Sequence, residues 1–179
     1  MLDIGCGPAD IFAHMPEVDY VGLDMSAKYI ADAQNRYGDT GTFIQQEIKA
    51  GEELAFAQSL KPFDVALALG VLHHLDDAQA LILLKTAKAA LKKGGRLVTF
   101  DGAFVPEQSS AAKWLLRKDR GNYVRTPKAY VALARQVFPR VSFSVHHDLI
   151  LLPYTHCIMQ CADGADGAEP PLDLKPHGA

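Results

Sequence analysis

The sequence predicts an α/β protein on a doubly wound, Rossmann-like sheet, mostly parallel with an antiparallel hairpin at its C-terminal edge. Short apolar runs alternate with helical patterns along the first part of the chain. A glycine loop, "GCGPA", follows the first of those runs directly. The last two runs have no helix between them, which makes them antiparallel neighbours.

The elements follow in order. Leu2 to Ile4 reads as a strand and Pro8 to Met15 as a short helix, with proline tolerated in its first turn. "DYVGLD", 19–24, is the second strand, and Ser26 caps a helix through Tyr37 that stops at Gly38. "TFIQQEI", 42–48, is the third strand, followed by a helix within 51–60. "FDVALALG", 63–70, is apolar enough to be buried on both faces. Asp76 and Asp77 open a helix that runs to Lys93, where Gly94-Gly95 stops it; acidic start and basic end both suit the helix dipole. "RLVTFD", 96–101, is the fifth strand. Residues 106–125 read as an inserted, substrate-side lid helix, and 127–138 as a further helix. "VSFSVHHDLI" and "THCIMQC" close the sheet, with His146, His147 and Asp148 as edge or lid contacts without a role. The domain thus covers 1–161, and the Gly/Pro/Ala-rich tail 162–179 is expected to be disordered.

Composition narrows the function classes. At 179 residues, 49% hydrophobic and 22% charged with net charge -3, the chain is that of an ordinary single globular domain. Without a basic excess, nucleic acid is not an expected partner. No apolar run reaches the roughly 18 residues of a membrane span, and no secretory signal opens the chain, so a cytoplasmic protein is expected. Three cysteines do not suggest a disulfide framework, and His156, Cys157 and Cys161 match no common zinc spacing, so no metal is expected.

The chemistry starts at Gly5, Cys6 and Gly7, where the backbone can approach a ligand closely and the following helix N-terminus favours negative charge. Asp24 ends the next strand, where a carboxylate accepts hydrogen bonds from ribose hydroxyls; its alternative role is in the cap region of the helix after Ser26. The loop departs from the dinucleotide fingerprint, with Asp10 in place of the third glycine. Asp3, just before the loop, suits a cofactor with a cationic amine better than a pyrophosphate.

These residues resemble the class I S-adenosylmethionine-dependent methyltransferases. "LDIGCGPA" is similar to their first motif, with Asp3, Gly5 and Gly7 matching and Ala9 in place of the usual glycine. "YVGLDMS" resembles the ribose segment, which implies Asp24 on the two hydroxyls and Met25 against the adenine. "FIQQEI" resembles the adenine-edge segment, with Glu47 where aspartate is commoner and Ile48 beside it. "FDVALALGVLHHLDD" and "LKKGGRLVTFD" resemble the fourth and fifth motifs, the former bringing Leu69 and Gly70 to the cofactor. The last part of the chain resembles a bacterial subgroup with members in surface-polysaccharide gene clusters.

The resemblance implies methyl transfer from S-adenosylmethionine to a small acceptor, anionic or sugar-linked. His73 and His74 then lie over the cofactor's methionine end, either shaping the pocket wall or supplying a base for an acceptor hydroxyl. As metal ligands, adjacent histidines do not converge easily on one ion. Lys113, Arg117 and Arg120 fall on one helical face, with Arg125 close behind: a solvated basic face, or a lid whose guanidiniums hold an acceptor phosphate or carboxylate. Central strands usually run about five or six residues, whereas the glycine loop here follows Met1 to Ile4 immediately. An N-terminally shortened chain is therefore expected, and a non-catalytic fragment that binds cofactor weakly is the main alternative. A nicotinamide-dependent oxidoreductase is a third reading, disfavoured by Asp3, Asp10 and the C-terminal hairpin.

Overall fold

A computed structural model describes residues 1–163; the expected disordered tail lies almost wholly outside the described residues. Its centre is a seven-stranded sheet in the order β3-β2-β1-β4-β5-β7-β6. These strands are β1 (Leu2–Ile4), β2 (Val21–Asp24), β3 (Thr42–Gln45), β4 (Phe63–Leu69), β5 (Leu91–Gly102), β6 (Arg140–His146) and β7 (His156–Ala162). The first five pair in parallel. β7 runs antiparallel to both β5 and β6, which is the expected edge hairpin.

The helices are α1 (Ala27–Tyr37), α2 (Glu53–Ser59), α3 (Asp77–Ala90), α4 (Ser110–Lys118) and α5 (Pro127–Ala134). Their starts follow from local chemistry. Ser26 Oγ accepts from the Tyr29 N–H, Ser109 from Ala112 and Thr126 from Ala129, each relieving an unpaired donor of the first turn. Asp76 and Gln79 exchange side-chain bonds in a capping box at the head of α3.

Several elements are shorter than expected, with α5 ending at Ala134 rather than at 138, and two depart in kind. After Pro8 the chain makes a single-turn 3₁₀ helix, Asp10–His14, entered through Ala9 at φ 58°. The helix expected to reach Lys93 ends at Ala90, because Leu91 turns extended and pairs with Phe63, which is fully buried. The register then shifts until Arg96 pairs with Val65. Lys92 and Gly94 therefore lie within β5, with Lys92 Nζ on the Asp64 carboxylate at 2.9 Å and Gly94 at φ 82°.

The main core lies between the sheet and α2, α3 and α5, with Leu2, Leu23, Phe63, Leu84, Leu97 and Phe138 nearly inaccessible to solvent. A smaller cluster sits near α1, where Phe12 meets Tyr20 at 4.6 Å and Tyr37 edge-on at 5.2 Å between ring centroids. Strand order reverses between β1 and β4, so the loops leaving their carboxyl ends open onto a crevice, the usual ligand position in such sheets.

Candidate functional site

The crevice holds a cavity of about 510 Å³, within the range of small-ligand sites. Gly5 and Gly7 form one wall at φ 77° and 55°, a region glycine enters without strain. A Cβ on Gly5 would lie 2.6 Å from a Val71 methyl, so the loop can approach the segment after β4 only with glycine there. Asp24 fixes this corner: its Oδ2 accepts from the Gly7 N–H at 3.0 Å and its Oδ1 from the Ser26 N–H at 2.8 Å. Asp24 thus steadies the entry to α1, and it also lines the cavity with acceptor capacity to spare.

Met25, Tyr29, Glu47 and Ile48 line the same cavity. Met25 is 69% exposed and Tyr29 42%, apolar surface left open to a flat ligand. β3 ends at Gln45, so Glu47 and Ile48 sit on the loop beyond it. Gln46, not singled out from the sequence, lines the cavity as well and ties its N–H to Asp24 O at 2.9 Å. Gly70 closes the far end at φ 72°, near His74 and Gln79.

Three expected cofactor residues lie outside that lining. Leu69 ends β4, half-buried and not among the lining residues. Cys6 packs behind the loop: its Sγ would meet a Cβ on Gly22 at 2.8 Å, and burial with Asp3 and Asp24 nearby pushes its thiol up to about 12. Asp3 is buried below the loop, where its Oδ2 accepts from the Tyr20 hydroxyl at 2.6 Å. Burial raises its carboxyl to about 6, against the Tyr20 hydrogen bond and helped by Asp24. Its Oδ1 has no partner among the described residues.

A second cavity of about 420 Å³ shares Gly70 with the first and is also lined by His73, Phe100, Asp101, Asp119, Tyr154 and His156. His73 is buried, with its Nδ1 2.8 Å from Asp101 Oδ1, which also accepts the His73 backbone N–H at 3.1 Å. An ionised Asp101 takes the proton-bearing Nδ1 and leaves Nε2 as the free acceptor. Nε2 faces Asp119 Oδ1 at 3.6 Å, beyond hydrogen-bond length. Asp119 accepts from the Tyr154 hydroxyl and the Gly121 N–H. Burial alone would raise its carboxyl, but those two donors and the nearby histidines bring it below its ordinary value.

His74 differs from its neighbour. It is largely exposed and borders the first cavity, and partial burial with His73 beside it lowers its pKa despite Asp119 and Asp101. The nitrogens of His73 and His74 and a carboxylate oxygen of Asp119 lie within 4.8 Å of one another, a set that could hold a divalent ion with modest adjustment.

The inserted segment clamps this loop from outside. Gly121 lies flat on His73, since a Cβ there would come 2.1 Å from the ring, and the Tyr123 N–H donates to His73 O at 2.9 Å. Arg125, expected on an acceptor anion, is committed elsewhere. It donates to Leu72 O at 2.9 Å, Leu75 O at 2.7 Å and Asp77 Oδ1 at 2.7 Å, and its side chain is 9% exposed. Arg117 and Arg120 are exposed and line neither cavity; Arg120 also lies past the end of α4. Lys118 is the one Lys or Arg side chain among the described residues that line the second cavity. A larger depression of about 800 Å³, bordered by Leu54, Leu81 and Lys85, gathers no comparable set of groups.

A doubly wound sheet with a glycine loop and a strand-end carboxylate at its switch point defines a nucleotide-cofactor protein. The family is given by comparison: a model described as "Methyltransferase domain" matches residues 2–97, and the chain belongs to that family. It is 34% identical over 111 residues to the 27-O-demethylrifamycin SV methyltransferase of Amycolatopsis mediterranei (strain S699), covering 59% of this chain and 39% of that protein. It is 32% identical over 97 residues to the ubiquinone biosynthesis O-methyltransferase of Caulobacter vibrioides (strain ATCC 19089 / CIP 103742 / CB 15), covering 53% and 37%. The chain thus spans under two fifths of the length of these curated relatives. Among solved structures, the mitomycin 7-O-methyltransferase MmcR superposes with a TM-score of 0.65 at 19% identity, over 90% of this chain and 48% of that one. That likeness establishes the shared fold. No helix among the described residues is long and apolar enough to cross a membrane.

Proposed function

We propose that this chain binds S-adenosylmethionine in the cavity over Gly5 and Gly7 and takes part in methyl transfer to a hydroxyl of a small molecule in the adjoining cavity, with His73 as general base. The reading rests on one observation: a buried histidine oriented by Asp101 stands where the two cavities meet at Gly70.

The residues present suit that cofactor. Asp24 offers free lone pairs to ribose hydroxyls, Met25 and Tyr29 offer apolar faces to an adenine, and the unpaired Oδ1 of Asp3 below the loop suits a cationic amine, directly or through water. When bound, the cofactor supplies an activated methyl group on a sulfonium. The protein's share is to hold the acceptor oxygen in line, roughly 3 to 3.5 Å from that carbon, and to take its proton. With the methyl group passed to the acceptor oxygen and S-adenosylhomocysteine left behind, the hydroxyl proton would go to His73 Nε2, so that the product is a methyl ether. Asp101 steadies the imidazolium, as the carboxylate does in other Asp–His pairs. Among the described residues that line the second cavity there is one lysine, Lys118, and no arginine, which favours an uncharged acceptor.

Titration calorimetry with S-adenosylhomocysteine is the first test, since it needs no acceptor. Micromolar binding that weakens about 10- to 100-fold in Asp24→Ala, in a variant folded by circular dichroism, is the expected result. A folded wild-type chain that binds nothing would support the weak-binding fragment instead.

A second reading rests on the His73, His74 and Asp119 cluster, in which a divalent ion polarises the acceptor oxygen. Methyl transfer unaffected by a chelator supports the base; loss with EDTA and recovery on adding a divalent cation supports the ion.

A further inference from the structure

The acceptor-side cavity is polar at one end and apolar at the other. His73, Asp101, Asp119 and Tyr154 make the polar end, while Leu115 from α4 and Ile150 and Leu152 from the loop between β6 and β7 border the rest. Phe100 and His156 stack at 4.4 Å between centroids, and Tyr154 leans on His156 at 4.8 Å, forming an aromatic wall. Burial brings the His156 imidazole down to about 4, so this wall is neutral at ordinary pH.

The apolar border continues outside. Leu149, Ile150, Leu151 and Leu152 are all exposed, Leu151 completely, and Trp114 next to Leu115 is 59% exposed. Four successive large apolar side chains in water mark a surface that meets something apolar. Two of them, Ile150 and Leu152, also face the cavity, so the strip is continuous with the acceptor space.

We infer that the acceptor is an uncharged phenol-type hydroxyl compound carrying an apolar substituent, with its ring against Phe100 and His156 and the substituent leaving past Leu115, Ile150 and Leu152. This deepens the proposed function and rests on it for the identity of the reaction, but not for the binding. Phe100, Tyr154 and His156 pack into one continuous aromatic wall along the cavity, and a planar ring can lie against the side of it that faces the cavity. The hydroxyl end meets His73, and the open mouth lets a substituent longer than the cavity run onto the leucine strip. Lys118 is the one Lys or Arg side chain among the described residues of the lining, so a carboxylate or phosphate on the acceptor has few partners there.

The test uses binding rather than turnover. Trp114, the one tryptophan of the chain, is exposed on α4 next to Leu115 in sequence, and its emission is followed as a secondary readout. The whole chain is titrated with phenol, 4-methylphenol, 4-butylphenol and 4-octylphenol, with calorimetry in parallel. Affinity is expected to rise about fourfold per added methylene until the chain clears Leu152. The double variant Ile150→Ser/Leu152→Ser, altered only at exposed positions, should lose at least tenfold for 4-octylphenol and keep its affinity for phenol and for S-adenosylhomocysteine. A flat alkyl series, or a double variant that binds 4-octylphenol as well as wild type, overturns the inference. So does a wild-type dimer in sedimentation that the same substitutions convert to monomer with alkylphenol binding unchanged, because the strip would then be a contact between copies. Loss of S-adenosylhomocysteine binding alone would refute the proposed function and leave these results standing.

Discussion

Asp3 shows what a single buried carboxyl does to the energetics of this site. Its carboxyl titrates near 6 in the folded chain against 3.8 as its ordinary value. A raised carboxyl binds its proton more tightly folded than unfolded, so its contribution to stability is fully present below pH 3.8 and is lost as pH rises through 6. Asp3→Asn removes that dependence, so the variant should gain on wild type by up to about 3 kcal/mol between pH 4 and pH 7. Urea unfolding of both proteins across that interval measures it; parallel curves would show that Asp3 does not titrate there. Asp24, Met25, Glu47 and Ile48 were legible because each sits in a contiguous motif beside a strand end. Asp119, Tyr154 and Gly121 were not, because they reach His73 from distant segments, and only the folded chain brings them to it.

At the scale of elements, the loop after β4 is held by the inserted segment in addition to its own turn and the bond to Asp101. Arg125 connects three things: the Leu72 and Leu75 carbonyls inside the loop, and Asp77 in the first turn of α3. The Asp77 carboxylate is 73% exposed, so that ion pair adds little, and the weight falls on the bonds to carbonyls. Arg125→Ala should cost about 1.5 to 3 kcal/mol in chemical denaturation, whereas Arg125→Lys, keeping charge but losing the fork, should recover under half of it. A cost under about 0.5 kcal/mol would show that the loop holds its shape unaided. Helical spacing grouped Arg117 and Arg120 with Lys113, but α4 stops at Lys118, so that face is shorter than the pattern implied. The α3 boundary was misread for a related reason. Lys92-Lys93-Gly94-Gly95 reads locally as a helix stop, yet the pairing of Leu91 with buried Phe63 draws the chain into β5 first. Sheet pairing across that distance leaves no trace in local propensity.

Across the whole molecule the two cavities divide along the chain. The cofactor-side lining, Ile4 to Leu83, falls inside the span matched by the family model, whereas most of the acceptor-side lining, Phe100 to His156, follows it. A shared first part with a separate second part is the arrangement expected where one cofactor serves many acceptors. It also makes a two-sided prediction, because Gly70 is the one residue lining both cavities. Tyr154→Phe removes a donor to Asp119 without emptying space, and Asp119 faces Nε2 of His73. Its carboxyl should rise and compete with His73 for the acceptor proton, so kcat for a hydroxyl acceptor should fall about 10- to 100-fold. Affinity for S-adenosylhomocysteine should stay within twofold of wild type, since Tyr154 does not border that cavity. The pH profile of kcat should shift as well, a change that simple loss of packing would not produce. Equal loss in kcat and in S-adenosylhomocysteine affinity would mean that the two cavities behave as one site, and His73 would then have to be read as part of the cofactor wall.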